Sequence, residues 1–296
     1  MKEVIQSKTV LQVPKWNIGK YATNVSVANL FFYISSFIVL AIIVCALFPK
    51  WIAPYLPTVM NTEFILSPPS SAHWFGTDYF GRDVFSLVIY GSRDSLIIGF
   101  ASVLIGGLIG GCIGALAGYI GGIVDAIFMR FIEILMTIPG ILLALAIAAA
   151  LGPSLSNIVL AVAASSIPGY ARVMRGQMIS IKKRQYVDAS RSIGTPTWKI
   201  FIFHVLPNSL SPLFVMGTIG LGTAILIGSG LSFLGLGYIK EIPDWGALLS
   251  QGRGYLSVGW WISTFPGLAI TLFVLSINII GDQLRDKFDP KMSRTR

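Results

Sequence analysis

Charge is what this chain has least of. Only 12% of its 296 residues are Asp, Glu, Lys or Arg, where a soluble domain carries about 25%. That shortage argues against a soluble globule and for a membrane protein. Histidine is scarcer still: His73 and His204 stand alone, so the clustered histidines or acids of a membrane-bound enzyme are missing. The two cysteines, Cys45 and Cys112, both fall inside apolar runs and read as small core residues, not as a disulfide or a metal pair. No G-x-x-x-x-G-K-[ST] occurs anywhere, so the usual loop for cradling ATP phosphates is absent. Any energy drawn from ATP must come through another polypeptide.

Apolar surface and glycine fill the space that charge leaves. The chain is 54% hydrophobic with 31 glycines, a glycine content expected where helices pack closely in lipid. A helix crossing a bilayer core of about 30 Å needs roughly 20 apolar residues. Six segments meet that test, near 30–48, 95–120, 131–151, 158–173, 212–237 and 260–280. Pro168 and Gly169 interrupt the fourth. Residues 1–28 do not read as a cleavable signal, because the polar lead is long and no small-residue cleavage site follows the first span.

With six spans both ends lie on one side. The N-terminal tail, the turn at 121–130, the 172–199 region and the C-terminal tail hold 17 of the 22 Lys and Arg residues. The opposite loops hold only Lys50, Arg82, Arg93, Lys240 and Arg253. The positive-inside rule therefore places both termini in the cytoplasm. The net charge of +9 is accounted for by topology, and with no basic soluble domain to carry it a nucleic-acid partner is set aside. Arg130, Glu133, Arg172 and Arg175 sit at span ends, where long side chains reach the interface. No span carries an acid near its midpoint, which argues against an ion-gradient-driven secondary transporter, the main rival for a transport protein.

Four glycines, Gly106, Gly110, Gly114 and Gly118, recur every four residues in the second span. They form one stripe where another helix can approach to backbone contact; a pore lining is the other reading. His73, Asp78 and Asp83 would be a thin set of ligands for an external metal, and a Gly/Asp pattern with Arg82 and Arg93 beside it suits turns and helix caps better. Residues 83–90 read as a short surface helix ended by Gly91, either a docking point outside the membrane or a cap for the second span.

The segment YVDASRSIGTPTWKIFIFHVLPNSL at 186–210 is charged and broken, yet it lies between apolar spans. It opens just after Lys182-Lys183-Arg184. Its first half, from Tyr186, reads as a helix ended by Gly194 in the left-handed conformation. Thr195 then reads as N-cap and Pro196 as first residue of a second helix, which Pro207 ends. That second helix carries too many apolar residues, Trp198 among them, to be wholly solvated. It fits either a helix lying on lipid or a docking surface for a soluble partner.

The segment resembles the coupling-loop motif E-A-A-x3-G-x9-I-x-L-P of membrane subunits in bacterial ABC importers. Asp188-Ala189-Ser190, Gly194, His204, Leu206 and Pro207 keep every spacing, with Asp for Glu, Ser for Ala and His for Ile. His204 is similar to the H-x-L-P-N variant of the peptide and nickel branch. HWFGTDYFGRDVFSLVIYGSRDSL (73–96), FLGLGYIKEIPDWGALL (233–249) and NIIGDQLRDKFDP (278–290) resemble further segments of that branch. Leu87 and Gln185 depart from it, standing where Arg and Glu are common.

The resemblance implies an all-α membrane protein with the six-helix type I ABC importer permease fold. It implies a cytoplasmic tail at 1–28, a transmembrane permease domain at 29–284 with an external segment at 49–94 and a coupling loop at 180–207, and a second tail at 285–296. It implies a permease in the bacterial cytoplasmic membrane for small peptides, nickel, or metal-chelate and opine-type solutes. The partners would be a second homologous permease, two cytoplasmic ATPase subunits that bind ATP and Mg, and an extracytoplasmic binding protein. The chain itself would be non-catalytic and hold no cofactor.

The orientation is testable in intact cells. In a background with Cys45 and Cys112 replaced by Ser, Ser71→Cys should react readily with an impermeant thiol reagent and Ser293→Cys should not. The reverse pattern would overturn the topology.

Overall fold

A computed structural model describes residues 18–238 and 240–288, with side chains placed within 29–286. Residues 1–17 and 289–296, the greater part of both expected tails, lie outside the described residues. Helices are the dominant structure of the described residues, which have no β-strand and a single isolated β-bridge between Thr77 and Asp83. In chain order they form α1 (Ile18–Leu47), α2 (Pro49–Ile52), α3 (Val84–Ile120), α4 (Gly122–Met136), α5 (Gly140–Leu151), α6 (Leu155–Lys182), α7 (Gln185–Ser192), α8 (Thr197–Lys199), α9 (Leu206–Ser209), α10 (Ser211–Leu231), α11 (Trp245–Gly252) and α12 (Trp261–Phe288). Five helices are long and apolar enough to cross a membrane, and six spans result if α4 and α5 count as one.

Three spans differ from the sequence expectation, the fourth because α6 is continuous through Pro168 and Gly169. The third is no single rod: α4 and α5 meet at 88°, across the break Thr137-Ile138-Pro139. Pro139 has no N–H and restricts the residue before it, so the helix ends there and restarts at Gly140. The second span and the expected short helix at 83–90 are one helix, α3. Gly91 does not end it. A Cβ there would lie 2.6 Å from the Pro243 carbonyl oxygen, so Gly91 serves close approach of the external loop. At 37 residues, α3 is about 55 Å long and outruns the hydrocarbon core.

Capping explains where α3 starts. The Asp83 carboxylate accepts from the Ser86 N–H at 2.8 Å, a standard N-cap. Its other oxygen meets His73 Nδ1 at 2.9 Å. Asp78 accepts from the N–H groups of Phe80 and Arg82 and from Arg82 Nε at 2.9, 2.8 and 2.7 Å. These acids are occupied with a turn and a cap. Trp261 Nε1 donates to the Thr77 carbonyl and Trp245 Nε1 to that of Val88, each at 2.9 Å, tying α12 and α11 to the start of α3 and the turn before it. Leu87 is wholly buried in a core with Val84, Trp245 and Phe273. Asp244 caps α11 from a buried position, and burial pushes its carboxyl above the usual carboxylate range.

The centre of the fold is the parallel pair α3 and α6. Cβ atoms added at Gly110 and Gly118 would lie 2.5 Å from the Ile167 carbonyl oxygen and 2.7 Å from that of Arg175. Gly106 and Gly114 face Ala163 and Ala171 in the same way. The glycine row lies directly on the α6 backbone, one turn against one turn. α6 runs unbroken through Pro168 and Gly169.

This geometry separates glycines needed for space from glycines that are not. Gly110→Ala should lower the melting temperature of the purified complex, because overpacking costs about 1–3 kcal/mol. Gly176→Ala, in α6 and with no atom within 4 Å of the added Cβ, should be neutral or gain up to about 1 kcal/mol of helix propensity. Equal melting of the two variants would show that the stripe is not a packing contact.

Candidate functional site

The segment singled out by sequence folds as a helical hairpin beneath the C-terminal ends of α3 and α6. α7 ends in a Schellman arrangement: the Thr195 N–H bonds the Ser190 carbonyl at 3.1 Å and the Gly194 N–H that of Arg191 at 3.0 Å. Gly194 has φ +83°, and a Cβ there would meet no atom within 4 Å. Glycine is present for its conformation, not for room.

The second half begins one residue later than expected. Pro196, not Thr195, occupies the cap position with ψ 144°, and Thr197 is the first helical residue. Pro207 does not end the helix either. Residues Ile200–Val205 widen into a π-turn, and α9 carries the path on to Ser209. The physical reason is Pro207 itself: its ring would strike the carbonyl of Phe203 in a tight α-helix, and it has no N–H to donate. A π-turn moves that carbonyl away. His204 lies in this turn, half-buried, and its carbonyl accepts from Asn208 Nδ2 at 2.6 Å.

The hairpin has two faces. Inward, Val187, Ile200 and Val205 are buried with Ala115, Met174, Met178 and Ile181 from α3 and α6, and Leu206 packs beside them. Tyr119 at the foot of α3 donates its hydroxyl to the Thr197 carbonyl at 2.8 Å and its ring meets Phe201. Lys182 Nζ donates to the Tyr119 carbonyl at 2.5 Å. Outward, Tyr186, Asp188, Ala189, Pro196, Trp198 and Pro207 are exposed, while Ser190 is half-buried. Asp188 pairs only with its neighbour Arg191, at 3.3 Å and in the open.

Sequence reasoning missed two residues of this outer face. Ile193 is 82% and Phe203 64% exposed, so both add exposed apolar surface to the hairpin, as Trp198 does. The available signal was an Ile before the turn glycine with nothing local to pack on. It also missed the pairing of Arg175 with Asp125 of α4, a two-pronged contact at 2.5 and 2.6 Å. The Asp125 hydrogen bonds run to α6, fifty positions along the chain, which no local pattern could reveal. The glycine stripe lies on the far side of the buried Met174 and Met178 from the hairpin, joining the same two helices.

Comparison with known proteins gives this hairpin its context. A family model described as binding-protein-dependent transport system inner membrane component matches residues 110–294, which includes the whole hairpin. The chain belongs to that family. The probable D,D-dipeptide transport system permease protein of Escherichia coli K12 is 43% identical over 87% of this chain and 86% of its own length. The di/tripeptide transport system permease protein of Pseudomonas aeruginosa UCBPP-PA14 is 43% identical over 86% of each chain. The glutathione transport system permease protein of E. coli O157:H7 is 42% identical over 86% of this chain and 84% of its own. Among solved structures, an inward-facing methionine ABC transporter has TM-score 0.56 at 21% identity, covering 69% of this chain and 97% of that one. An amino acid ABC transporter has TM-score 0.51 at 18% identity, covering 71% and 93%. The fold is that of ABC importer permeases, and the protein is a multi-pass permease of an ATP-driven importer in the cytoplasmic membrane.

The turn geometry yields a local test. Gly194→Ala should strain the left-handed position by about 1–2 kcal/mol without touching the spans. Limited trypsin digestion of the purified protein should then cut faster at Arg191 and Lys199, with insertion unchanged. Unaltered cleavage would mean that the turn does not depend on glycine.

Proposed function

We propose that this chain imports short peptides and that residues 180–207 dock a cytoplasmic ATPase. The observation that carries the docking role is the two-faced hairpin. Its inner face is bonded to α3 and α6, while Ile193, Trp198 and Phe203 present apolar surface on its outer face. Exposed apolar clusters of this kind mark protein contacts. A helix merely lying on lipid would not need the backbone-bonded turn. The peptide assignment rests on the names of relatives more than 40% identical over most of the chain, and it narrows the nickel and metallophore alternatives.

On this reading the working unit pairs the chain with a second homologous permease, two ATPase subunits and an external binding protein. ATP and Mg bind on the ATPases, and this chain catalyses no bond chemistry of its own. Both termini face the cytoplasm, as the Lys/Arg distribution requires. Movement of the ATPases displaces the hairpin, and its inner contacts pass that displacement to α3 and α6 together.

Reconstitution in liposomes tests the docking role. Gly194→Val, which a β-branched side chain makes severe at positive φ, should insert and assemble but lose most binding-protein-stimulated uptake, through weak ATPase binding or futile hydrolysis. Asp188→Lys should have a lesser effect, since an exposed charge contributes under about 1 kcal/mol. Full uptake with normal stimulation in Gly194→Val would remove the turn from the mechanism.

A further inference from the structure

The 88° break between α4 and α5 opens a cavity of about 460 Å³ in the middle of the transmembrane region. It is walled by the break itself, by the middle of α6 around Pro168 and by residues 216–227 of α10. Non-helical backbone at membrane depth is tolerated only where protein buries it or where it lines a cavity. Here Pro139 and Gly140 line one. None of the described residues lining it is an acid, a base, a histidine or a cysteine, so it offers no ligand set for a free metal ion. The volume falls within the range of about 300–1,000 Å³ typical of small-molecule sites.

Three features give the cavity a chemical preference. Leu135, Leu143, Val162 and Ile219 supply apolar wall. α5 begins at Gly140 without a side-chain cap, and the N–H groups of Leu142 and Leu143 bond to the Pro139 carbonyl. The first two N–H groups, those of Gly140 and Ile141, are therefore the ones left for a ligand at the positive end of a twelve-residue helix, where Gly140 lines the space. Tyr170 is 2% exposed and its hydroxyl has no hydrogen-bond partner. That hydroxyl lies against Gly220, itself a lining residue, at a place any side chain would fill. A buried hydroxyl left unpaired is costly, and a hydrogen bond to a ligand would remove that cost. Ser165 and Ser166 donate to carbonyls within their own helix, leaving oxygen lone pairs free to accept.

We infer that this cavity receives the C-terminal residue of a transported peptide. Its apolar side chain lies against the aliphatic wall. Its carboxylate faces the start of α5, and Tyr170 donates to a carboxylate oxygen. Broken helices whose N-termini meet anionic groups at the midplane are a general device of membrane transport. The inference deepens the peptide reading and rests on it.

The test uses the assembled transporter in nanodiscs without nucleotide. The probe is alanyl-photoleucine, a dipeptide whose C-terminal side chain crosslinks on illumination, with Ala-Leu and its C-terminal amide as competitors. Peptide mapping should place crosslinks within residues 135–143, 162–170 or 216–227. Ala-Leu should compete, and the amide should compete about tenfold less well, the loss expected for a hydrogen bond to a charged group. Tyr170→Phe removes only the unpaired hydroxyl, so it should fold normally and weaken labelling about tenfold. Gly220→Ala, which displaces that hydroxyl, should do the same.

Crosslinks confined to other segments would overturn the site, as would equal competition by acid and amide or undiminished labelling in Tyr170→Phe. No labelling, with ATP-driven uptake of Ala-Leu intact, would mean that lipid or the partner permease fills the cavity and would also overturn it. Failure of the peptide reading looks different: the wild-type transporter in liposomes would then take up no dipeptide under ATP, and both proposals would fall.

Discussion

Backbone contact between α3 and α6 is the constraint on which the other features depend. Hydrophobicity cannot drive two helices together in lipid, because the tails are as apolar as the side chains, so close packing must do it. The four stripe glycines let the α6 backbone come within side-chain distance of α3 over three turns. Both helices run in the same direction, so the chain between them must recross the membrane. With the contact face already filled, that crossing lies to one side. It is made by α4 and α5, whose break leaves the midplane cavity. A tight pair and a displaced third span are two results of one packing choice.

The same pair forms the floor for the hairpin. Ala115 comes from α3, Met174, Met178 and Ile181 from α6, and Val187, Ile200 and Val205 fill the groove between their ends. Tyr119 and Lys182 add polar ties at the rim, where water and backbone carbonyls are both in reach. A displacement of the hairpin therefore reaches two spans at once. Among the described residues, the exposed Asp188 and Arg191 pair with each other and not with α3 or α6. Ile193 and Phe203 could be replaced by polar residues without opening the core.

Much of this was legible in sequence, and for stated reasons. The positions of five spans follow from apolar runs, and the glycine row from a four-residue period. The turn at Gly194 follows from a helix pattern that stops at a residue able to take positive φ. The illegible parts are all non-local. The bend at Thr137–Pro139 is hidden inside an apolar run long enough for one rod, because hydropathy counts residues and not direction. Gly91 looked like a terminator, since only the distant Pro243 carbonyl shows that its role is close approach. Pro207 looked like a stop, since a π-turn has no composition of its own. Arg175 looked like an interfacial anchor until its partner Asp125 came into view. The cavity, lined from five helices far apart in the chain, has no sequence signature at all.

Arg175 joins these separate results. Its backbone is the last contact of the glycine row, against Gly118, and its guanidinium holds Asp125 on α4. α4 is otherwise attached at its start by Gly121, whose φ of +76° lets the chain reverse after α3, and at its end by the break before α5. A helix joined to its neighbours through a reversing turn and a break has few backbone restraints on its tilt. The ion pair is then the principal polar tie between α4 and the rigid pair. It lies at the hairpin end of α6, three residues from Met178 in the hairpin floor and at the far end of α4 from the cavity. Any rearrangement that reaches α6 through the hairpin reaches α4 through this contact, and α4 carries Leu135 and Met136 in the cavity wall. The hairpin and the midplane cavity are thus joined by one short physical route.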